Sequence, residues 1–194
     1  MGRPKVHDEA LRSRLLERAA AIVFERGVDA LSLRRLASDA GTSTTAVYSL
    51  FGNKAGLVDG LFRQATRRFA TALAAVEPSD DPAEDVVRLG IAYRDYAISA
   101  PHLYAIMFGR RDEGLPDELA EDAAATIVPL IDAVRRGQAA GRFVAGPPER
   151  TALACWATAH GLVSLELAGT VPPGLDIAAW YEDALRAMAA GWRM

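Results

Sequence analysis

Sulfur and imidazole are nearly absent from this sequence. Cys155 is the only cysteine among 194 residues, so an intrachain disulfide and a cysteine-rich metal site are both excluded. Three histidines, His7, His102 and His160, are too scattered for the ligand spacing of a zinc centre. No glycine-rich phosphate loop, Ser-His-acid set or paired carboxylates stand out. Neither an enzyme nor a bound cofactor is therefore expected. Long apolar runs are missing as well. The longest uncharged stretch on an apolar helix covers residues 151–165, short of the roughly 18 residues that a membrane span needs. The start, MGRPK, is basic but leads into no apolar run, so no signal peptide and no membrane partner are expected. A lone cysteine fits a reducing cytoplasm. Period-2 alternation, the mark of strands, does not appear.

About half the residues, 51%, are hydrophobic, ample for a core. The apolar positions recur at helical spacing, with Gly and Pro as punctuation. The pattern predicts an all-α chain of about nine helices, over 8–26, 33–40, 44–51, 54–76, 83–99, 101–108, 117–140, 149–168 and 176–192. Pro129 should kink the seventh of these near its middle. Pro78-Ser79-Asp80-Asp81-Pro82 reads as a linker. These breaks predict a head over 1–54, a connecting helix over 55–77 and a larger helical domain over 78–194.

The net charge of -3 hides an asymmetry. Residues 1–70 hold 12 Lys and Arg against 7 Asp and Glu, whereas the remainder holds 10 against 18. A basic head on an acidic body is expected where only the head meets phosphate.

Within that head, two short helices flank a tight turn at Gly41, the pattern of a helix-turn-helix. Ser32 and Ser43 stand where N-caps belong. Leu36, Ala37, Val47 and Phe51 can pack inward, leaving Thr44, Thr45, Tyr48 and Ser49 on the outer face of the second short helix. Small polar side chains there can reach base edges in a major groove. Lys54, at the start of the next helix, suits a phosphate. Arg34 and Arg35 precede the turn and can reach the DNA backbone, and Ser32 and Ser43 can add phosphate contacts to their capping. Arg3, on a short extended arm before Pro4, can enter a minor groove.

The run LSLRRLASDAGTSTTAVYSLFGNKAGL at 31–57 resembles the DNA-binding signature of the TetR family of regulators. Gly41, Ser43, Tyr48, Phe51, Lys54 and Leu57 all fall in register, and the likeness extends over roughly 8–62. Ser49 and Leu50 depart from the larger side chains frequent there, so no base preference carries over. The spacing Trp156-x-x-x-His160-Gly161, with Pro101-His-Leu-Tyr-Ala-Ile-Met-Phe108, resembles the Trp-His-Gly type of C-terminal domain in the same family.

In the body, the helix over 149–168 is apolar almost all round, with Glu166 its one charge after residue 151. One face, Leu153, Trp156, His160, Val163 and Leu167, is expected to fill the subunit's own core. The other, Ala154, Thr158, Gly161, Leu165 and Ala168, is mostly small and is expected to meet a second subunit. The last helix presents a stripe of Tyr181, Ala184, Leu185, Met188 and Trp192, and it should join the same interface through Trp180, Ala184 and Met188. Twofold symmetry then gives a four-helix contact. A cavity lined by Tyr93, Tyr96, His102, Tyr104, Met107, Phe108, Trp156 and His160 would take a small hydrophobic ligand. For each of these side chains a plain core role is the competing expectation. The combination predicts a homodimeric regulator of a palindromic double-stranded DNA operator, released by ligand. An activator, or a regulator that needs its ligand to bind, would look the same at this level.

Overall fold

The computed structural model describes residues 5–109 and 116–193, with side chains described from residue 9 onward. These residues form ten α-helices and no strand: α1 (Lys5–Arg26), α2 (Leu33–Asp39), α3 (Thr44–Phe51), α4 (Lys54–Ala74), α5 (Pro82–Ser99), α6 (Pro101–Phe108), α7 (Asp117–Ala124), α8 (Val128–Ala139), α9 (Pro148–Leu167) and α10 (Ile177–Ala190). The fold is all-α, as the apolar periodicity implies. None of these helices is long and apolar enough to cross a membrane.

Two compact units emerge. The first comprises Met1–Arg67 and His102–Ala120, and the second Arg68–Pro101 and Glu121–Met194. The division differs from the expected 1–54, 55–77 and 78–194. The reason lies in α4, whose Leu57, Leu61, Phe62 and Ala65 are all buried in the first unit. Leu103 and Tyr104 of α6 and Leu119 of α7 are buried with that unit too.

In the first unit, α1 contributes Leu11, Leu15, Leu16, Ala19 and Ala20 to the core. Opposite them lie Leu36 and Ala37 of α2, with Val47 and Phe51 of α3. Fully burying a Leu, Val or Phe side chain stabilises by about 1.5–3 kcal/mol, so this cluster fixes how α2 and α3 sit. Gly41 makes the turn between them. Its φ of 65° suits a residue without a Cβ. It lets the Thr42 N–H reach back to the Ala37 carbonyl at 2.9 Å, closing α2 in the manner of a Schellman motif.

In the second unit, α5, α8, α9 and α10 pack on one another. Asp81 caps α5 by accepting from the Ala83 N–H at 3.0 Å, with Pro82 in the first turn. Asp176 caps α10 in the same way. The segment 78–82 is more than a linker. Asp85, 1% exposed, accepts from the backbone N–H of Ser79 at 3.0 Å and its hydroxyl at 2.7 Å, and pairs with Arg136 at 2.9 Å. Burial alone would raise the pKa of this carboxyl. The donors from Ser79 and Arg136 outweigh that and hold it below the ordinary value.

The helix expected over 117–140 is broken rather than kinked. A 3-10 turn, Ala125–Ile127, separates α7 from α8. Pro129 lies in the first turn of α8. It has no N–H to give the carbonyl four residues back, and its ring clashes with that carbonyl, so the helix restarts there.

Candidate DNA-binding face and ligand cavity

The first candidate site is the outer surface of α2 and α3. Ser32 caps α2 by accepting from the Arg35 N–H at 3.4 Å, and Ser43 caps α3 by accepting from the Ala46 N–H at 3.1 Å. With Val47 and Phe51 buried, helical geometry turns the next residues outward. Thr45, Tyr48 and Ser49 are exposed, Tyr48 to 52%, and Thr44 is half-exposed. Tyr48 is therefore a surface residue and not part of the core. Arg34 and Arg35 are exposed on α2.

Asn53 caps α4 through its side-chain oxygen, which accepts from the Gly56 N–H at 2.8 Å. Lys54 donates to the Asp29 carbonyl at 3.3 Å. That bond uses one of three ammonium donors and ties the α1–α2 turn to the start of α4. A contact not expected from the sequence fixes α1 to the end of α3: the Arg12 guanidinium lies 5.1 Å from the centre of the Phe51 ring, within cation-π range. Arg3 lies outside the described residues.

The second candidate site is a cavity of about 270 Å³ in the second unit. It is walled by Phe69 and Leu73 of α4, Val86, Leu89, Gly90 and Tyr93 of α5, and Ala123, Ala124, Thr126, Ile127 and Leu130 around the α7–α8 break. Cys155, Trp156 and Ala159 of α9, with Leu185 and Met188 of α10, complete it. Aliphatic and aromatic groups dominate, and no Lys, Arg, Asp or Glu is among the described lining residues. Two of the polar groups are engaged. The Tyr93 hydroxyl lies 2.8 Å from His160 Nδ1, and the Thr126 hydroxyl donates to the Ala123 carbonyl at 2.7 Å. Burial pushes the Cys155 thiol up to about 11, so it stays protonated and unreactive at neutral pH. Burial also lowers the His160 pKa, which favours the neutral ring. Such walls suit an uncharged apolar molecule, since a buried charge would go uncompensated.

Of the side chains expected around a cavity, Tyr93 and Trp156 line it, and His160 reaches it through Tyr93. Tyr96 packs on Phe69 with ring centres 5.2 Å apart and is not among the lining residues; burial pushes its phenol up to about 12. His102, Tyr104, Met107 and Phe108 do not line this cavity either. They sit on α6 in the first unit, with His102 edge-on to Phe24 and Tyr104 against Phe108. Most of the lining went unforeseen. Gly90 carried one usable signal, because a glycine inside a helix costs roughly 0.5–1 kcal/mol against alanine and so marks a close approach. A Cβ there would lie 2.6 Å from Leu185 Cδ1. The Gly90 carbonyl accepts from the Tyr181 hydroxyl at 3.0 Å.

The face of α9 that fills the core is rotated from the expected one. Thr151, Ala152, Cys155, Ala159 and Val163 are buried, whereas Leu153 is 53% exposed and Leu167 lies on the surface. Of the small-residue face, Ala154, Thr158 and Gly161 are half-exposed, and Leu165 and Ala168 are exposed. A Cβ built on Gly161 would meet nothing within 4 Å. On α10, Tyr181 and Leu185 are buried in the unit's own core. Trp180 is exposed, Ala184 half-exposed, and Met188 is half-exposed and lines the cavity. Glu166 accepts from Arg94 at 2.8 Å, linking α9 to α5. Among the described residues, no group of three or more His, Cys, Asp or Glu is placed to hold a metal ion.

Residues 15–61 match the model of bacterial regulatory proteins of the tetR family, and residues 86–188 match the tetracyclin repressor-like C-terminal domain. The chain belongs to the TetR family. The matched residues 15–61 contain the helix-turn-helix described above, the part by which bacterial regulatory proteins of this family are recognised. The HTH-type transcriptional regulator Rv1816 of Mycobacterium tuberculosis is 24% identical over 147 residues, or 73% of this chain and 63% of its own length. The chain therefore spans less than two thirds of the curated relatives it matches. A protein of unknown function from Rhodococcus sp. RHA1 superimposes with a TM-score of 0.84 at 30% identity, covering 95% of this chain and 96% of that one. SmeT, solved in complex with triclosan, shares the fold at 23% identity with a TM-score of 0.74, covering 95% and 92% of the two chains.

Proposed function

We propose that this TetR-family chain is a cytoplasmic, ligand-responsive repressor that binds a palindromic operator as a homodimer and releases it when a small hydrophobic molecule fills the cavity. The observation that carries this reading is the pairing, in one chain, of an outward-facing polar α3 with an apolar chamber. Thr44, Thr45 and Ser49 would read base edges in the major groove. Tyr48, Lys54, Arg34, Arg35, Ser32 and Ser43 would hold phosphates and set the register, with Arg3 reaching the neighbouring minor groove.

The exposed side of α9 supports dimerisation. Leu153 and Leu165 are roughly half exposed beside the small residues Ala154, Thr158 and Gly161, and Trp180 and Ala184 of α10 continue that exposed set. Small residues let two such faces approach closely, and a twofold pair would place two recognition helices on the two halves of a palindrome. A ligand that favours the form with the wrong head separation would shift the population away from DNA. The SmeT–triclosan complex makes triclosan a natural first compound to try.

A gel shift with the DNA upstream of the chain's own gene tests the core of this reading. Specific binding should exceed binding to a scrambled duplex by roughly a thousandfold or more. Thr45→Ala should change which sequences are preferred, and equal affinity for both duplexes would sink the proposal.

A further inference from the structure

Helices α5 and α10 meet at Gly90 and Leu185, and both residues line the apolar chamber. A Cβ built on Gly90 would lie 2.6 Å from Leu185 Cδ1, 3.0 Å from Cδ2 and 3.4 Å from Cγ. The first two distances are well inside ordinary carbon–carbon contact, about 3.5–4.0 Å. The tip of Leu185 therefore occupies the place where a side chain on residue 90 would stand. Leu185 is buried, and the chamber is the open space that it borders.

Ties on both sides of this contact hold the two helices together. The Tyr181 hydroxyl, one turn before Leu185 on α10, donates to the Gly90 carbonyl at 3.0 Å. Arg94, one turn after Gly90 on α5, lies over the Tyr181 ring at 5.5 Å and donates to Glu166 of α9 at 2.8 Å. Beyond Leu185, Arg186 donates twice to Glu84 of α5, at 2.6 and 3.0 Å. With the backbones held in this way, a methyl group on residue 90 is met by rotation of the Leu185 side chain. Its tip must retreat by about 1 Å to restore ordinary contact, and the space open to it is the chamber.

We propose that Gly90 sets the size of molecule the chamber accepts: having no side chain, it lets Leu185 lie against α5 and leaves the chamber to the ligand. The proposal rests on the chamber being the ligand site. Its volume is about 270 Å³. An apolar cavity of about 150 Å³ is enough to hold benzene, so the chamber suits an uncharged molecule of two rings. Gly90→Ala would turn Leu185 into that space and leave room for a single ring. Leu185→Val has the opposite effect, because it removes the Cδ atoms that press on residue 90 and leaves the contact at the Cγ position, 3.4 Å away.

Isothermal titration of the full chain with toluene, naphthalene and biphenyl tests this. The wild type should bind the two larger molecules more tightly than toluene. Gly90→Ala should weaken naphthalene and biphenyl roughly tenfold or more and toluene by no more than about threefold. In the Leu185→Val background, Gly90→Ala should lose most of this effect, because the atoms it displaces are gone. Leu185→Val alone should raise the ratio of biphenyl to toluene affinity, and it decides the matter if Gly90→Ala does not fold. Equal weakening of all three compounds by Gly90→Ala, or an unchanged ratio in Leu185→Val, would overturn the role of Gly90 and leave the chamber as a ligand site. A full effect of Gly90→Ala in the Leu185→Val background would overturn Leu185 as the part that moves. Binding of none of the three to the wild type would refute both the size rule and the chamber as a site for such molecules.

Discussion

Replacing Asp85 tests how the second unit is held around its cavity. The carboxylate is buried and collects two donors from Ser79 and one from Arg136, with Arg88 3.5 Å away. Asp85→Ala would strand the Ser79 N–H and leave Arg136 without its buried partner. Removing one member of a buried pair costs about 3–5 kcal/mol. Arg136 is 38% exposed on its side chain and can turn to water, so the lower end, about 3 kcal/mol, is expected. For a chain of this size that corresponds to a fall in Tm of roughly 6–12 °C. The pH dependence has a definite sign. The carboxyl pKa is lowered in the folded chain from 3.8, so its contribution is complete above 3.8 and is lost as pH falls through the folded value. Thermal melts followed by circular dichroism should therefore show a large gap between wild type and Asp85→Ala at neutral pH, and that gap should narrow as the buffer is taken well below 3.8. A gap that stays constant with pH, or no gap at all, would refute the network's electrostatic role.

Three further outcomes are expected. Lys54→Ala should weaken binding to every duplex alike and reduce the slope of log affinity against log salt by about one unit; an unchanged slope in a salt titration would remove Lys54 from the phosphate contacts. Gly161→Arg, placed where a Cβ meets nothing within the chain, should leave each subunit folded yet give monomers in sedimentation and lose operator binding; a dimer that persists would move the interface off this face. Trp156→Ala opens the cavity wall at a half-exposed position and should cost less than about 3 kcal/mol while abolishing the thermal shift given by hydrophobic compounds; a retained shift would place the ligand elsewhere.

The head was legible because its signals are local. Gly41, Ser32 and Ser43 act on backbone within three or four residues, and the turn, both caps and the outward set Thr45, Tyr48 and Ser49 follow from them. The body was legible in its helices but not in their phase. An apolar α9 gives no period to distinguish Leu153 from Ala152, and only packing against α5, α8 and α10 decides which is buried. His102 and Phe108 lie between α5 and α7 in the chain and look like neighbours of Trp156, yet α6 clusters with the first unit. Asp85 reads as an ordinary acidic residue in the first turn of a helix, because Arg136, its partner, is 51 positions away. Pro129 marked the right place in the chain, but a 3-10 turn at Ala125–Ile127 ends α7 there and the helix restarts instead of bending.

The central claim is that cavity occupancy governs operator binding. Fluorescence anisotropy of a labelled duplex carrying the dyad upstream of the gene measures it directly, with the full chain titrated at fixed salt in the presence and absence of a compound that raises its Tm. Two subunits should bind per dyad, and the compound should raise the apparent Kd tenfold or more in wild type but not in Trp156→Ala. A compound that stabilises the protein through the cavity yet leaves the Kd for the operator unchanged would contradict the claim.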